Sequence, residues 1–223
     1  MAVDRETAGD GVSERVRLRR KRERGSYDRA TIDAILDEGL VAHVGIVEDG
    51  QPLVLPTLHA RAGDVVYLHG SAASRTMRAM AAGAPICLTV SLIDGLVLAR
   101  AAMHHSANYR SAVLLGRARP VTDPGELLAG FEAVVERLVP GRWGDVRPPN
   151  EQELRATALV ALPIDEASAK VRTGGPIDDE EDYELPAWAG VIPLTLHAGE
   201  AEADQRLPQD VPVPGYVSGW PRR

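Results

Sequence analysis

The sequence predicts a mainly β fold with flanking helices, curled into a small closed or partly closed barrel. Two observations predict it. From Leu40 onward, short apolar runs alternate with turn residues such as Asp49-Gly50, Gly63-Asp64 and Asp94-Gly95, the pattern of a mostly antiparallel sheet. Helical spacing, by contrast, is confined to a few short stretches between those runs. Six strands around one small helix, with short connections, suit a barrel better than a sandwich.

The elements follow in order. Residues 28–39 place Ile32, Ile35 and Leu36 on one helical face, with Gly39 as the stop. Strands are expected over 41–47, 51–60 and 65–69 in meander order, the first two joined by Asp49-Gly50. Arg75–Ala82 reads as a short helix with Met77 and Met80 inward, ended by Gly83-Ala84-Pro85. Further strands are expected over 86–92, 96–101 and 111–120, with Asp94-Gly95 turning the chain between the first two. Leu127, Phe131, Val134 and Leu138 then recur at helical spacing until Val139-Pro140-Gly141. Asn150 with Glu153 three positions on forms a capping box for another short helix. The run 158–164 reads as a returning strand. Beyond Leu194, Pro, Gly and acidic residues predict an extended tail docked locally by Tyr216 and Trp220.

Composition narrows the function classes. A 223-residue chain with 44% hydrophobic content fits one domain with appendages: a disordered basic arm over 1–25, a core domain over 26–195 and the tail over 196–223. No apolar run approaches the ~18 residues of a membrane span, and the polar N-terminus lacks the apolar stretch of a secretory signal. A cytoplasmic protein with no membrane partner is therefore expected. Net charge is −7, split between arginines at 15–24 and an acidic run at 178–182. Because the rest of the chain is acidic, the arm is read as solvated or paired with protein, with no nucleic-acid partner. Cys87 has no second cysteine and sits among apolar residues, so it reads as a buried, inert thiol. Any redox chemistry must come from a bound cofactor.

Three segments carry candidate chemistry. In the first, a strand ending at His69-Gly70-Ser71 leads into Ser74-Arg75 at a helix start, with Arg78 one turn on. Backbone N–H groups, hydroxyls and guanidinium donors there can cradle a phosphate, although neither the Walker A nor the G-x-G-x-x-G pattern is present. Equally, Ser74 caps the helix and the arginines are solvated. The second segment is His104–Ser111, where strand alternation puts His105 and Tyr109 on one face and Arg110 on the other. The third joins Lys170 and Arg172, on one strand face, with Trp188; both groups could equally serve a subunit interface. No metal site is expected, since His-x-His, H-E-x-x-H and cysteine clusters are all lacking. Haem stays open, because one axial histidine suffices.

These segments together resemble the FMN-binding split-barrel superfamily of pyridoxamine 5′-phosphate oxidase, in its flavin-nucleotide-binding and nitroimidazole-reductase-like branch. The run 66–75, the segment 103–116 and Pro186-Ala187-Trp188-Ala189-Gly190 carry the resemblance, which spans roughly residues 15–195. It implies a split β-barrel of the FMN-binding type and a homodimer with the site at the subunit interface. It also implies an oxidoreductase that reduces a small substrate, or else a non-catalytic flavin or haem carrier or sensor. By the resemblance, Ser74 and Arg75 hold the FMN phosphate, with Arg78 compensating for Thr76 where many members have a second cation. The flavin ring lies along the strand through Leu55, Pro56 and Thr57. His69, Gly70, Ser71, Tyr109, Arg110, Lys170 and Trp188 are further contact candidates, and His69 and His105 are candidate proton donors to substrate. The Arg-x-His-type substrate motif of true pyridoxamine phosphate oxidases is not found around Ala187–Leu194.

Overall fold

The structure, a computed structural model, describes residues 12–220; the expected disorder of residues 1–11 lies outside them. In chain order the regular elements are β1 (Gly25–Ser26), α1 (Arg29–Glu38), β2 (Val41–Glu48), β3 (Gln51–Ala62), β4 (Val65–Ser71), α2 (Arg75–Ala81), β5 (Pro85–Leu98) and β6 (Ser106–Arg117). Then come β7 (Arg119–Pro120), α3 (Pro124–Leu138), α4 (Glu151–Ala156), β8 (Thr157–Pro163), β9 (Glu166–Arg172), β10 (Gly190–Pro193) and α5 (Gly215–Ser218). The strands form one antiparallel sheet in the order β1-β9-β6-β5-β2-β3-β4-β8-β7, with β10 added to β5. The sheet curls but does not close, as the split barrel requires.

Alternation along the strands builds the interior. Ala42, Val44 and Ile46 face inward from β2, opposite Leu88 and Val90 of β5, Leu114 of β6 and Leu162 of β8. Burying each of the leucines contributes about 1.5–3 kcal/mol. Helix α1, capped by the Asp28 carboxylate accepting from Thr31 N–H, packs Ile32, Ile35 and Leu36 onto this core. The β2–β3 hairpin turns at Asp49 (φ 48) and Gly50 (φ 76), the two positive φ values that a tight I′ turn needs. A second, smaller core lies outside the barrel wall, where Tyr67, Leu159 and Ala161 meet Leu127 and Phe131 of α3.

Two expectations are corrected. Asp94-Gly95 does not turn the chain: 86–92 and 96–101 belong largely to one long strand, β5, with a bulge between Ile93 and Gly95. The bulge shifts the alternation by one residue, so Asp94 can meet Arg110 while Gly95 lies under β10, where a Cβ would come 3.0 Å from Ile192 O. The arm also differs from a disordered tether. Over residues 12–26 it lies against β9, with Val16 buried, Arg15 paired to Glu166 at 3.1 Å and β1 hydrogen-bonded to β9. Apolar side chains interleaved among the arginines make that docking possible.

At the other end the tail docks where the sequence places it. Trp220 Nε1–H donates to Leu138 O at 2.8 Å, and Tyr216 O–H donates to Asp145 at 2.6 Å. No helix among the described residues is long and apolar enough to cross a membrane.

Candidate functional site

The site grows from a parting of two strands. β3 and β4 pair only through 59–62 and 65–68, with His59 opposite Leu68. Continuing that register would set Leu58 against His69, Thr57 against Gly70 and Pro56 against Ser71, but there the strands separate. Residues 51–58 keep β2 on one edge, and among the described residues no strand pairs with the other. Half of their backbone donors and acceptors therefore lack ladder partners, and they face the gap. Leu55 and Pro56 are exposed on this lip although they lie in mid-strand.

Across the gap, Ser71 leads into the α2 turn. Ser71 Oγ accepts from Ala73 N–H at 3.2 Å, and Ser74 Oγ caps α2 by accepting from Met77 N–H at 3.5 Å. Neither contact uses the hydroxyl proton, which stays free to donate. Gly70 lets the helix approach, since a Cβ there would come 3.0 Å from Met77 Cγ. Arg75 is largely exposed and anchored by one nitrogen to Glu48 at 3.0 Å, leaving its other donors facing solvent. Arg78 is exposed one turn on, whereas Thr76 is buried and unable to contribute.

His69 points to the outer side of β4, into a cavity of about 460 Å³ beneath α3 and α4. Phe131, Val134, Trp143, Val146 and Leu154 give it apolar walls, and the Arg147–Glu153 ion pair (2.6 Å) supplies its charged lining. That pair, with the capping bond from Asn150 N–H, holds the Glu153 carboxyl at about 2. His69 Nδ1 is buried with no hydrogen-bond partner, and burial pushes the imidazole below its ordinary value. The ring is thus neutral at pH 7, able to ligate a metal or to relay a proton.

The other candidates lie elsewhere. Tyr109 and Lys170 share the outer sheet face on β6 and β9, separated from β3 by β5 and β2. Arg110 faces the opposite way and is saturated by carboxylates, donating to Asp94 at 2.9 and 2.6 Å and to both oxygens of Glu38. His105 is exposed, its Nδ1 3.1 Å from Ala101 O. Trp188 is exposed with its ring laid over Gly190, where any Cβ would stand 2.8 Å from it. Thr57 is half-buried and turns its hydroxyl to Leu58 O at 3.2 Å.

Sequence reasoning did not find Phe131, Trp143 and Val146 as cavity walls. Phe131 and Val134 read as ordinary helix core, and only an isolated tryptophan just past a helix break hinted at the rest. The acidic run is a strap docked through its first residue, while Asp179, Glu180 and Glu181 are exposed. Asp178 is buried and accepts from the amides of Arg100 (3.0 Å) and Ala101 (3.3 Å) and from the Arg100 guanidinium (3.1 Å). Burial opposes its ionisation, yet these bonds hold the carboxyl below the usual range. Beside it, His104, Asp179 and Asp182 bring ligand atoms within 4.8 Å of one another.

Comparison with known proteins places this geometry. No curated protein matches the chain. Over 92% of the chain and 95% of the other, the structure superposes on the flavocytochrome Anf3 from Azotobacter vinelandii, with 46% identity and a TM-score of 0.87. The FAD and haem binding protein from Mycobacterium smegmatis matches at 36% identity, covering 88% of this chain and 96% of that one, with a TM-score of 0.85. A candidate 5-nitroimidazole antibiotic resistance protein from Bacteroides thetaiotaomicron shares the fold at 22% identity, over 66% of this chain and 86% of its own, with a TM-score of 0.56. Residues 28–171 match the family model described as pyridoxamine 5′-phosphate oxidase. With the split barrel and the parted β3–β4 lips, that match establishes that the chain belongs to the pyridoxamine 5′-phosphate oxidase-like family of flavin-binding proteins.

Proposed function

We propose that this protein is a flavin-dependent oxidoreductase that works as a homodimer and carries haem as a second redox group. The observation that carries the reading is the gap itself: an unpaired strand edge at 53–57 faces a Ser71–Ser74–Arg75 turn with free hydroxyl and guanidinium donors. The edge suits the polar rim of a flavin ring, and Ser74, Arg75 and Arg78 suit the phosphate that FMN and FAD share. When bound, the flavin supplies hydride and single-electron chemistry. This chain's part is to hold the ring against the open edge of β3 and to place the phosphate at α2.

Haem is favoured by two further facts. Two similar structures, at 46% and 36% identity, are a flavocytochrome and an FAD and haem binding protein, and His69 offers a neutral imidazole in an aromatic-walled cavity. His69 would hold the iron, with Phe131 and Trp143 among the cavity walls around the group, and haem would supply one-electron chemistry. Dimerisation is supported by the outer face of β2 and β3, along which Val41, Val47 and Val54 are exposed. A second protomer seated there could bring Tyr109, Lys170 and Trp188 to a flavin that they do not reach within one chain.

The visible spectrum of the purified protein tests the reading, with a flavin band and a Soret band both expected. His69→Phe should abolish the Soret band and spare the flavin. Arg75→Ala should weaken flavin binding by about 1.5–3 kcal/mol, the range of a charge-assisted contact. A colourless protein that takes up neither flavin nor haemin would refute the proposal. Reduction by a nicotinamide donor, followed by reoxidation by a nitro compound, separates an enzyme from a carrier.

A further inference from the structure

A second cavity, of about 380 Å³, lies on the other side of the C-terminal end of α3 and shares no lining residue with the His69 cavity. Its floor is the Glu38–Arg110–Asp94 cluster. One guanidinium there spends four hydrogen bonds on two carboxylates, so it has almost nothing left to offer an anion. Arg137, which donates to Gly39 O at 2.9 Å, also lines the cavity. Two arginines against two carboxylates leave the floor with no net charge. Asp94, about a third exposed, still presents carboxylate lone pairs to the cavity, and their complement is a donor O–H or N–H.

The walls are apolar, formed by Leu92, Ile93 and Leu138 below and by Leu196 and Trp220 of the tail above. The tail makes this site. Its indole is fixed by the bond to Leu138 O, and Tyr216 anchors the segment before it between Arg142 (2.9 Å) and Asp145. We propose that this cavity binds a neutral aromatic alcohol of the phenol class, its ring between Leu92 and Trp220 and its hydroxyl donating to Asp94. The floor's arginine and carboxylate charges balance, so an ionic head group gains no net attraction to offset the water it gives up, which sets the specificity. The volume falls in the range of small-molecule sites.

The test uses the full chain and three probes of one shape: 2-naphthol, 2-naphthoate and 2-naphthylmethylammonium. Binding is measured by calorimetry and by the indole N–H resonance of Trp220, assigned by its loss in Trp220→Phe. Naphthol should bind saturably and move that resonance, with both charged probes about tenfold weaker or more. Leu196→Trp, a change on the exposed tail wall, should fill the cavity and cut naphthol affinity by about tenfold while leaving the urea midpoint and the visible spectrum unchanged. The proposal is overturned if naphthol does not saturate, if either charged probe binds as tightly, or if Leu196→Trp binds like the wild type. None of these outcomes bears on the flavin and haem reading, which rests on other residues.

Discussion

Replacing Arg110 by methionine separates a structural arginine from a ligand-binding one. In the folded chain its guanidinium joins the end of α1, through Glu38, to the β5 bulge, through Asp94, and each of the three side chains is about 30% exposed. A fully exposed pair would contribute about 0–1 kcal/mol, and breaking a fully buried one costs about 3–5. Here two carboxylates lose their common cation at intermediate depth, so Arg110→Met should cost about 2–4 kcal/mol. Much of that loss is the strain of two uncompensated acids, so the triple variant Glu38→Gln, Asp94→Asn, Arg110→Met should recover most of it. Urea unfolding followed by tryptophan fluorescence measures the stability, and flavin titration measures affinity on the same samples. Unchanged stability with weakened flavin binding would refute the reasoning and return Arg110 to the flavin site. A triple variant no better than the single would show that charge compensation is not what the cluster does.

Further outcomes follow from single features. Gly130→Ala would place a Cβ 2.4 Å from Leu159 Cδ2, so the buried Leu159 side chain or α3 itself must shift; a loss of about 1–3 kcal/mol is expected from overpacking, and an unchanged melting temperature would contradict it. His59 is buried with Nε2 against Leu36 O at 2.9 Å, and burial, with Arg137 nearby, holds its imidazole below the ordinary value. The unfolded chain therefore binds this proton more readily. The contribution is complete above pH ~6.5 and declines as the pH falls from there toward the folded value, and His59→Gln should flatten that part of the stability profile. Asp178→Ala leaves the Arg100 and Ala101 amides unpaired and should release the strap, read as several-fold faster proteolysis within residues 173–185; equal rates would mean that the strap is held by something else.

Much of this protein is written locally. Ile32, Ile35 and Leu36 mark α1, Asp49-Gly50 sets the first hairpin, Asn150 and Glu153 cap α4, and all of these depend on neighbours within a few residues. The family was legible for the same reason, since Ser74-Arg75 at a helix start and the Trp188 segment are short, contiguous patterns. Asp94-Gly95 shows the limit. The pair reads as a turn, but whether a glycine turns a chain or bulges a strand depends on what lies beside it, and here β6 and β10 flank it.

What the residues alone determined is most of the main elements, the β-rich class and the Ser74-Arg75 turn at a helix start, because hydrophobic period and turn chemistry act over short range. Tertiary structure alone decided where β3 and β4 part, that His69 faces an aromatic cavity instead of the barrel interior, and that Arg110 spends its donors on two acids. Each of those depends on contacts between segments tens of residues apart, such as Arg110 with Glu38 or Trp220 with Leu138. No local pattern records how such distant side chains divide their hydrogen bonds.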